Sequence, residues 1–240
     1  MRNSATHLPP LAIHRVTQLG LKCHKWTWPF AVERRADIAA HFALQQAEKP
    51  RIWNGRVLLG RNPAFSGDRF SADYFEADFA SFLAWRDWGF PDSSVFNGFG
   101  MGALRGSDGV FVLGEMAAHT ANGGRIYFPS GTPDLDDLRG GMVDIPGSVT
   151  REVEEETGLT AGDYRTDEHW DCVVSGAAIA FIRILNVDMP GEALRAKIEA
   201  NLATHQSPEL SAIHLVRGPA DFTPTMPRFV TAFIEAQAAS

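Results

Sequence analysis

The stretch Arg151-Glu152-Val153-Glu154-Glu155-Glu156-Thr157-Gly158-Leu159 crowds four carboxylates just ahead of a glycine. A glycine after a run of good helix formers reads as the left-handed residue that ends a helix. The helix therefore ends acidic, at the negative pole of its macrodipole, where each carboxylate costs a few tenths to about 1 kcal/mol. Spacing of three and four residues predicts that Glu152, Glu155 and Glu156 share one face while Glu154 points elsewhere. Like charges packed this way repel. A bound hard cation such as magnesium or manganese removes both penalties, because oxygen ligands suit it. A solvated acidic face is the commoner fate of a charge run. That reading explains neither the crowding at the unfavourable terminus nor Arg151, which stands four residues before Glu155 and can brace it across one turn.

Elements with turn chemistry between them must carry this helix. Residues 98–104, 109–117 and 124–128 read as strands, separated by Gly106-Ser107-Asp108-Gly109 and Asn122-Gly123-Gly124. After the acidic helix, 168–175 and 177–187 read as strands, 191–204 as a helix opened by Pro190, 212–216 as a strand and 228–236 as a closing helix. Ahead of these, 11–16 and 18–26 read as strands, and 32–48 as a helix stopped by Pro50. Asn54-Gly55 between apolar residues predicts a hairpin within 51–59. Residues 70–74 look extended and 75–87 helical, with Phe75, Phe79, Phe82 and Arg86 at helical spacing. The aromatics of this region, Tyr74 to Phe90, could stack a nucleobase, but at helical spacing they read first as core.

The pattern Arg-Glu-apolar-x-Glu-Glu-x-Gly-apolar, filled at every position by Arg151 through Leu159, resembles the second half of the Nudix box. The first half departs from it. Counted back from Arg151, the box glycine and glutamate fall on Asp137 and Val143. Phe128-Pro129-Ser130-Gly131-Thr132 offers an alternative strand-to-glycine entry, followed by a longer loop that holds Asp134, Asp136, Asp137 and Asp144. The resemblance implies an α+β fold over 98–240, a Nudix-like α/β/α sandwich with a mixed sheet; the N-terminal α+β section, 1–97, which the motif does not need, has an aromatic helix with too few strands to cover it and is expected to pack on that core.

It also implies roles. Glu152 and Glu156 correspond to principal metal ligands, Glu155 to a third carboxylate binding metal directly or through water, and Arg151 to the residue that orients it. Gly131 corresponds to a glycine whose backbone carbonyl meets the metal; otherwise it is a turn glycine. Asp144 either replaces the missing glutamate as an oxygen ligand or caps the helix that starts at Ile145. Arg125 either meets a substrate phosphate or is an exposed strand residue. Glu209 stands where some members carry a general base, although an exposed loop glutamate is the simpler reading. The implied activity is magnesium- or manganese-dependent hydrolysis of a nucleoside diphosphate linked to another group, with metal-activated water attacking phosphorus and a carboxylate taking the proton. The rival reading is a catalytically degenerate Nudix-fold module that binds a nucleotide-like ligand; Val143 favours it, and the three retained helical carboxylates oppose it.

Composition narrows the partners. A formal net charge of −7 argues against binding duplex nucleic acid, which needs clustered Lys and Arg. Apolar content of 45% with 21% charged residues is ordinary for a soluble globular chain, and the small-molecule nucleoside diphosphate partner is what the resemblance implies. Cys23 and Cys172 are too few for a disulfide framework or zinc site, which predicts reduced cytoplasmic thiols. Residues 1–10 lack the apolar core of a signal peptide, and the longest apolar run, 172–182, is too short to span a bilayer.

Overall fold

A computed structural model describes residues 11–238, so the 1–10 stretch considered for a signal peptide lies outside the described residues. The chain opens with β1 (Ala12–Val16), β2 (Gln18–Cys23), α1 (Pro29–Glu33) and α2 (Arg35–Glu48), followed by the hairpin β3 (Arg56–Ser66) and β4 (Arg69–Asp78) and by α3 (Phe79–Asp87). Then come β5 (Val95–Arg105), β6 (Phe111–Met116), β7 (Ile126–Tyr127), β8 (Ser130–Gly131), β9 (Leu138–Arg139), β10 (Met142–Val143) and α4 (Ile145–Thr157). The chain closes with β11 (Tyr164–Thr166), β12 (Trp170–Ser175), β13 (Ala178–Val187), α5 (Gly191–Leu202), β14 (Leu210–Val216) and α6 (Arg228–Ala238). The fold is α+β with one large mixed sheet.

Strand β5 is the seam. It runs parallel to β13 from Asn97↔Ala178 to Arg105↔Asn186, and it meets β3 antiparallel at Phe96↔Gly60 and Val95↔Arg61. The first strand, β1, pairs with β12, so residues from both ends of the chain share the sheet. Successive β5 residues face opposite sides. Gly100 and Gly102 lie under α4, where an added Cβ would meet Val149 Cγ2 at 2.5 Å and Val153 Cγ2 at 2.6 Å. Phe99, one residue over, stacks edge-on with Phe229 of α6 at 5.6 Å. Helices α4 and α6 thus cover opposite faces, and the two glycines let α4 lie close against the strand.

Period-two alternation also explains the N-terminal half. On β4, Phe70, Ala72 and Tyr74 enter the main core with Leu58 of β3, whereas Phe75 and Ala77 enter a second core with Val57, Leu59, Trp28, Ile38, Phe42 and Trp85. Both faces of this hairpin are buried. The expected helix from residue 75 is corrected accordingly: Phe75 belongs to β4, and the helix starts at Phe79. The expected hairpin at Asn54-Gly55 is also corrected. Asn54 Oδ1 accepts the Ala80 N–H at 2.8 Å and the Gly55 carbonyl accepts the Phe79 N–H at 2.9 Å, so this pair secures the start of α3. The hairpin turn is Gly67-Asp68, where Gly67 has the left-handed φ of 59° that a two-residue turn requires. The expected helix over 32–48 is divided at Arg34 into α1 and α2.

Candidate functional site

Helix α4 begins at Asp144, whose Oδ1 accepts the Gly147 N–H at 3.0 Å, and ends at Gly158 with φ of 74°. Its apolar stripe is Ile145, Val149 and Val153, all buried on β5. At 100° per residue, Glu156, Glu152 and Glu155 stand about 20°, 60° and 120° from the centre of that stripe. Burial follows the angles: Glu156 is 4% exposed, and the side chains of Glu152 and Glu155 are 13% and 60% exposed. The three carboxylates lie within about 100° of one another, but only Glu152 and Glu156 are largely buried. Glu152 and Glu156 turn to a cavity of about 1060 Å³, and Glu155 stays outside it. Asp144 does not line the cavity either; its carboxylate is engaged as the helix cap.

Gly131 lies on the cavity wall against Glu152, and a Cβ there would come within 2.3 Å of Glu152 Oε1. The short strand β8 is fixed by Ser130↔Met101 and Gly131↔Gly100, which sets the Ser130 backbone beside the Glu156 carboxylate, where it opposes part of the pKa rise. Glu209 and Arg125 line the same cavity. Arg125 lies just before β7, is exposed, and forms no side-chain ion pair among the described residues. Burial, reinforced by the nearby charges of Glu152 and Glu209, raises the Glu156 pKa well above the usual carboxylate range. Burial likewise pushes Glu152 up to about 7, against the pull of Arg151 and with help from Glu155 and Glu209.

Sequence reasoning missed the main support of Arg151. Its Nη2 donates to both oxygens of Asp137 at 3.2 Å, its Nη1 lies 2.9 Å from Glu152 Oε1, and a longer contact of 3.4 Å reaches Glu155. Burial alone would lower the Arg151 pKa; Glu152, Asp137 and Glu155 outweigh it, and the guanidinium is held firmly charged. Asp137, 3% exposed, also accepts from Ser148 Oγ at 3.2 Å and from the Asp134 N–H at 3.1 Å. Val143 is a buried core residue paired with Leu138. The signal for Asp137 was present in the spacing Asp134-x-x-Asp137, which closes a reciprocal cap around the turn Leu135–Asp137.

These carboxylates fit a divalent ion by one physical test. Two largely buried anions share a wall, and no lysine, arginine or histidine pairs with Glu156 among the described residues. No group of three His, Cys, Asp or Glu side chains among the described residues is arranged to hold an ion on its own. Magnesium does not require one, since it is commonly bound by one or two carboxylates together with substrate phosphates.

The raised Glu152 pKa has a measurable consequence. Below about 4.5 the group is protonated in folded and unfolded chains alike; between 4.5 and about 7 the folded state holds the extra proton, so stability falls as pH rises. The full penalty, roughly 3 kcal/mol, is present above pH 7. In chelator, melting temperature is therefore expected to decline across this window in the wild type and by less in Glu152→Gln, where the raised carboxyl of Glu156 still contributes its own decline. Magnesium should recover the loss at pH 8 and do little at pH 5. Superimposable calorimetric profiles for the two proteins would refute the assignment.

No protein-family model and no curated protein matches the chain. Among solved structures it is similar to a Nudix hydrolase from M. smegmatis, at 17% identity over 60% of this chain and 87% of that one, with a TM-score of 0.39. It is similar to a MutT protein from Methanosarcina mazei Go1, at 17% identity over 60% of this chain and 94% of that one, with a TM-score of 0.37. A bifunctional NMN adenylyltransferase/ADP ribose pyrophosphatase from Francisella tularensis matches at 12% identity over 66% of this chain and 46% of that one, with a TM-score of 0.40. No helix among the described residues is long and apolar enough to cross a membrane.

Proposed function

We propose that this chain is a divalent-metal-dependent hydrolase of a nucleoside diphosphate linked to another group. The observation that carries the reading is the pair Glu152 and Glu156, largely buried, facing a large cavity beside Gly131, within a stretch that resembles half of the Nudix box. Glu152 and Glu156 would hold magnesium or manganese. When bound, such an ion neutralises diphosphate charge and supplies a water of lowered pKa.

The remaining roles belong to the chain itself. Arg151, clamped by Asp137, fixes one oxygen of Glu152 and leaves the other for the cavity. Glu155 lies outside the cavity and acts on the site through Arg151, as a positioning residue. Glu209 lines the cavity as an available proton acceptor for the attacking water. Arg125, lining the cavity without an ion-pair partner, is free to meet a phosphate oxygen.

A panel of nucleoside diphosphate derivatives, incubated with magnesium or manganese, tests this by release of nucleoside monophosphate. Release should vanish in chelator and return with added metal. Failure of every derivative under both metals would reject the hydrolase reading.

A further inference from the structure

We infer that Trp53 and Phe90, both supplied by the section ahead of β5, hold the nucleobase of the substrate by stacking. The inference takes its ligand class from the proposed function.

Large apolar side chains that stay exposed are few among the described residues, and the two aromatic ones, Trp53 at 76% and Phe90 at 39%, both line the cavity that contains Glu152 and Glu156. Much of the other aromatic surface of this section is taken up by packing: Phe75 and Trp85 are fully buried, Trp28 meets Phe75 and Trp85 edge-on at 5.8 and 5.9 Å, and Phe82 is buried where it meets the cavity wall beside the half-buried Phe79. Trp53 lies against the Gly55 backbone, where a Cβ would come within 3.0 Å of Cζ2, and its exposure leaves aromatic surface open to the cavity.

Phe90 is held by unusual means. Its backbone is left-handed, with φ of 61°, a conformation unfavourable for a side chain of this size. The Phe90 N–H donates to the Trp85 carbonyl at 2.8 Å, and the ring stands edge-on to Trp85 at 4.8 Å. A strained residue that remains partly exposed gains too little from burial to account for its placement, and strain of this kind gathers at ligand sites. Arg51, two residues before Trp53, lines the same cavity with a single side-chain partner, Ser207 Oγ at 2.8 Å. Exposed aromatic faces, a cation and a carboxylate pair lining one cavity suit a nucleotide: base on the aromatics, phosphates toward the ion site. The cavity, about 1060 Å³, has room for both parts.

Calorimetry in magnesium with adenosine and uridine 5′-monophosphates, compared with ribose 5-phosphate, tests this without turnover. At least one nucleotide should bind the wild type roughly tenfold or more tighter than ribose 5-phosphate. Trp53→Ala should bring that ratio close to one, while Trp53→Phe, which keeps a flat ring, should hold most of it. Phe90→Leu, chosen to keep bulk against Trp85, should narrow it several-fold. Nucleotide affinity unchanged in Trp53→Ala, or no preference for either nucleotide in the wild type, overturns the inference. A preference lost in Trp53→Ala, in a protein that hydrolyses no diphosphate, leaves this inference standing and removes the proposed function. Metal-dependent hydrolysis with wild-type nucleotide affinity in Trp53→Ala does the reverse.

Discussion

Glu152→Gln is expected to lower kcat by roughly 10²–10³-fold while moving KM by only a few-fold. Glutamine has the same shape beside Gly131, where Glu152 Oε1 already sits too close for any Cβ, and its carbonyl can still accept from Arg151. The substitution removes charge and little else. The cation that this carboxylate would help to hold would act most on the negative charge that builds on the leaving and attacking oxygens, so the loss should fall on the transition state more than on substrate binding. Glu155→Gln is the internal contrast. Its carboxylate is exposed and off the cavity, reaching Arg151 only at 3.4 Å, so its removal should cost at least about tenfold less than that of Glu152. Steady-state kinetics on one substrate decides both. Turnover untouched by Glu152→Gln would place the chemistry elsewhere.

That contrast is legible in the sequence only once the buried direction of the helix is fixed. Spacing of three and four residues says which glutamates are neighbours on a helix; it does not say which of them the core will cover. The missing reference is the stripe Ile145, Val149 and Val153, and once its centre is taken as the buried direction the order Glu156, Glu152, Glu155 follows from the helical angle alone. Phe75 misled for a different reason. Strand β4 switches its buried face between Tyr74 and Phe75, so the alternation breaks there and Phe75 merges into the helical series with Phe79 and Phe82. Asn54-Gly55 has hairpin chemistry, but the same amide and carbonyl serve equally to secure a helix start, and tertiary context chose that use.

Other features lay beyond any local reading. The segment carrying Trp53 is brought to the sheet that bears α4 by the pairing of β3 with β5, at Gly60↔Phe96 and Arg61↔Val95, and neither partner announces the other. The acidic helix, by contrast, was legible in its own residues, since its C-terminal glycine and its buried stripe are local properties.

Asp137→Ala is expected to cost about 3 kcal/mol, because it strips the guanidinium of Arg151 of its most buried partner and orphans the hydroxyl of Ser148. In a chain of 240 residues that corresponds to a drop in melting temperature of roughly 6–12 °C. Destabilisation alone would not establish a brace, since a buried aspartate in a reciprocal cap has structural work of its own: it also accepts the Asp134 N–H. The coupling between Asp137 and Arg151 separates the two roles. If Asp137 acts mainly on Arg151, then Asp137→Ala, Arg151→Ala and the double variant should be non-additive by about 1–3 kcal/mol, because the second substitution removes a partner already lost. If it acts mainly as a turn cap, the two effects should add, and the brace would have to be abandoned. The same cycle in kcat carries the argument to the site. Arg151 touches Glu152 at 2.9 Å, so loosening the guanidinium frees a cavity-facing carboxylate, and turnover should fall in Asp137→Ala even when measured well below its melting temperature. The carboxylate that holds the arginine thus comes from Asp137, six residues before the buried, apolar Val143.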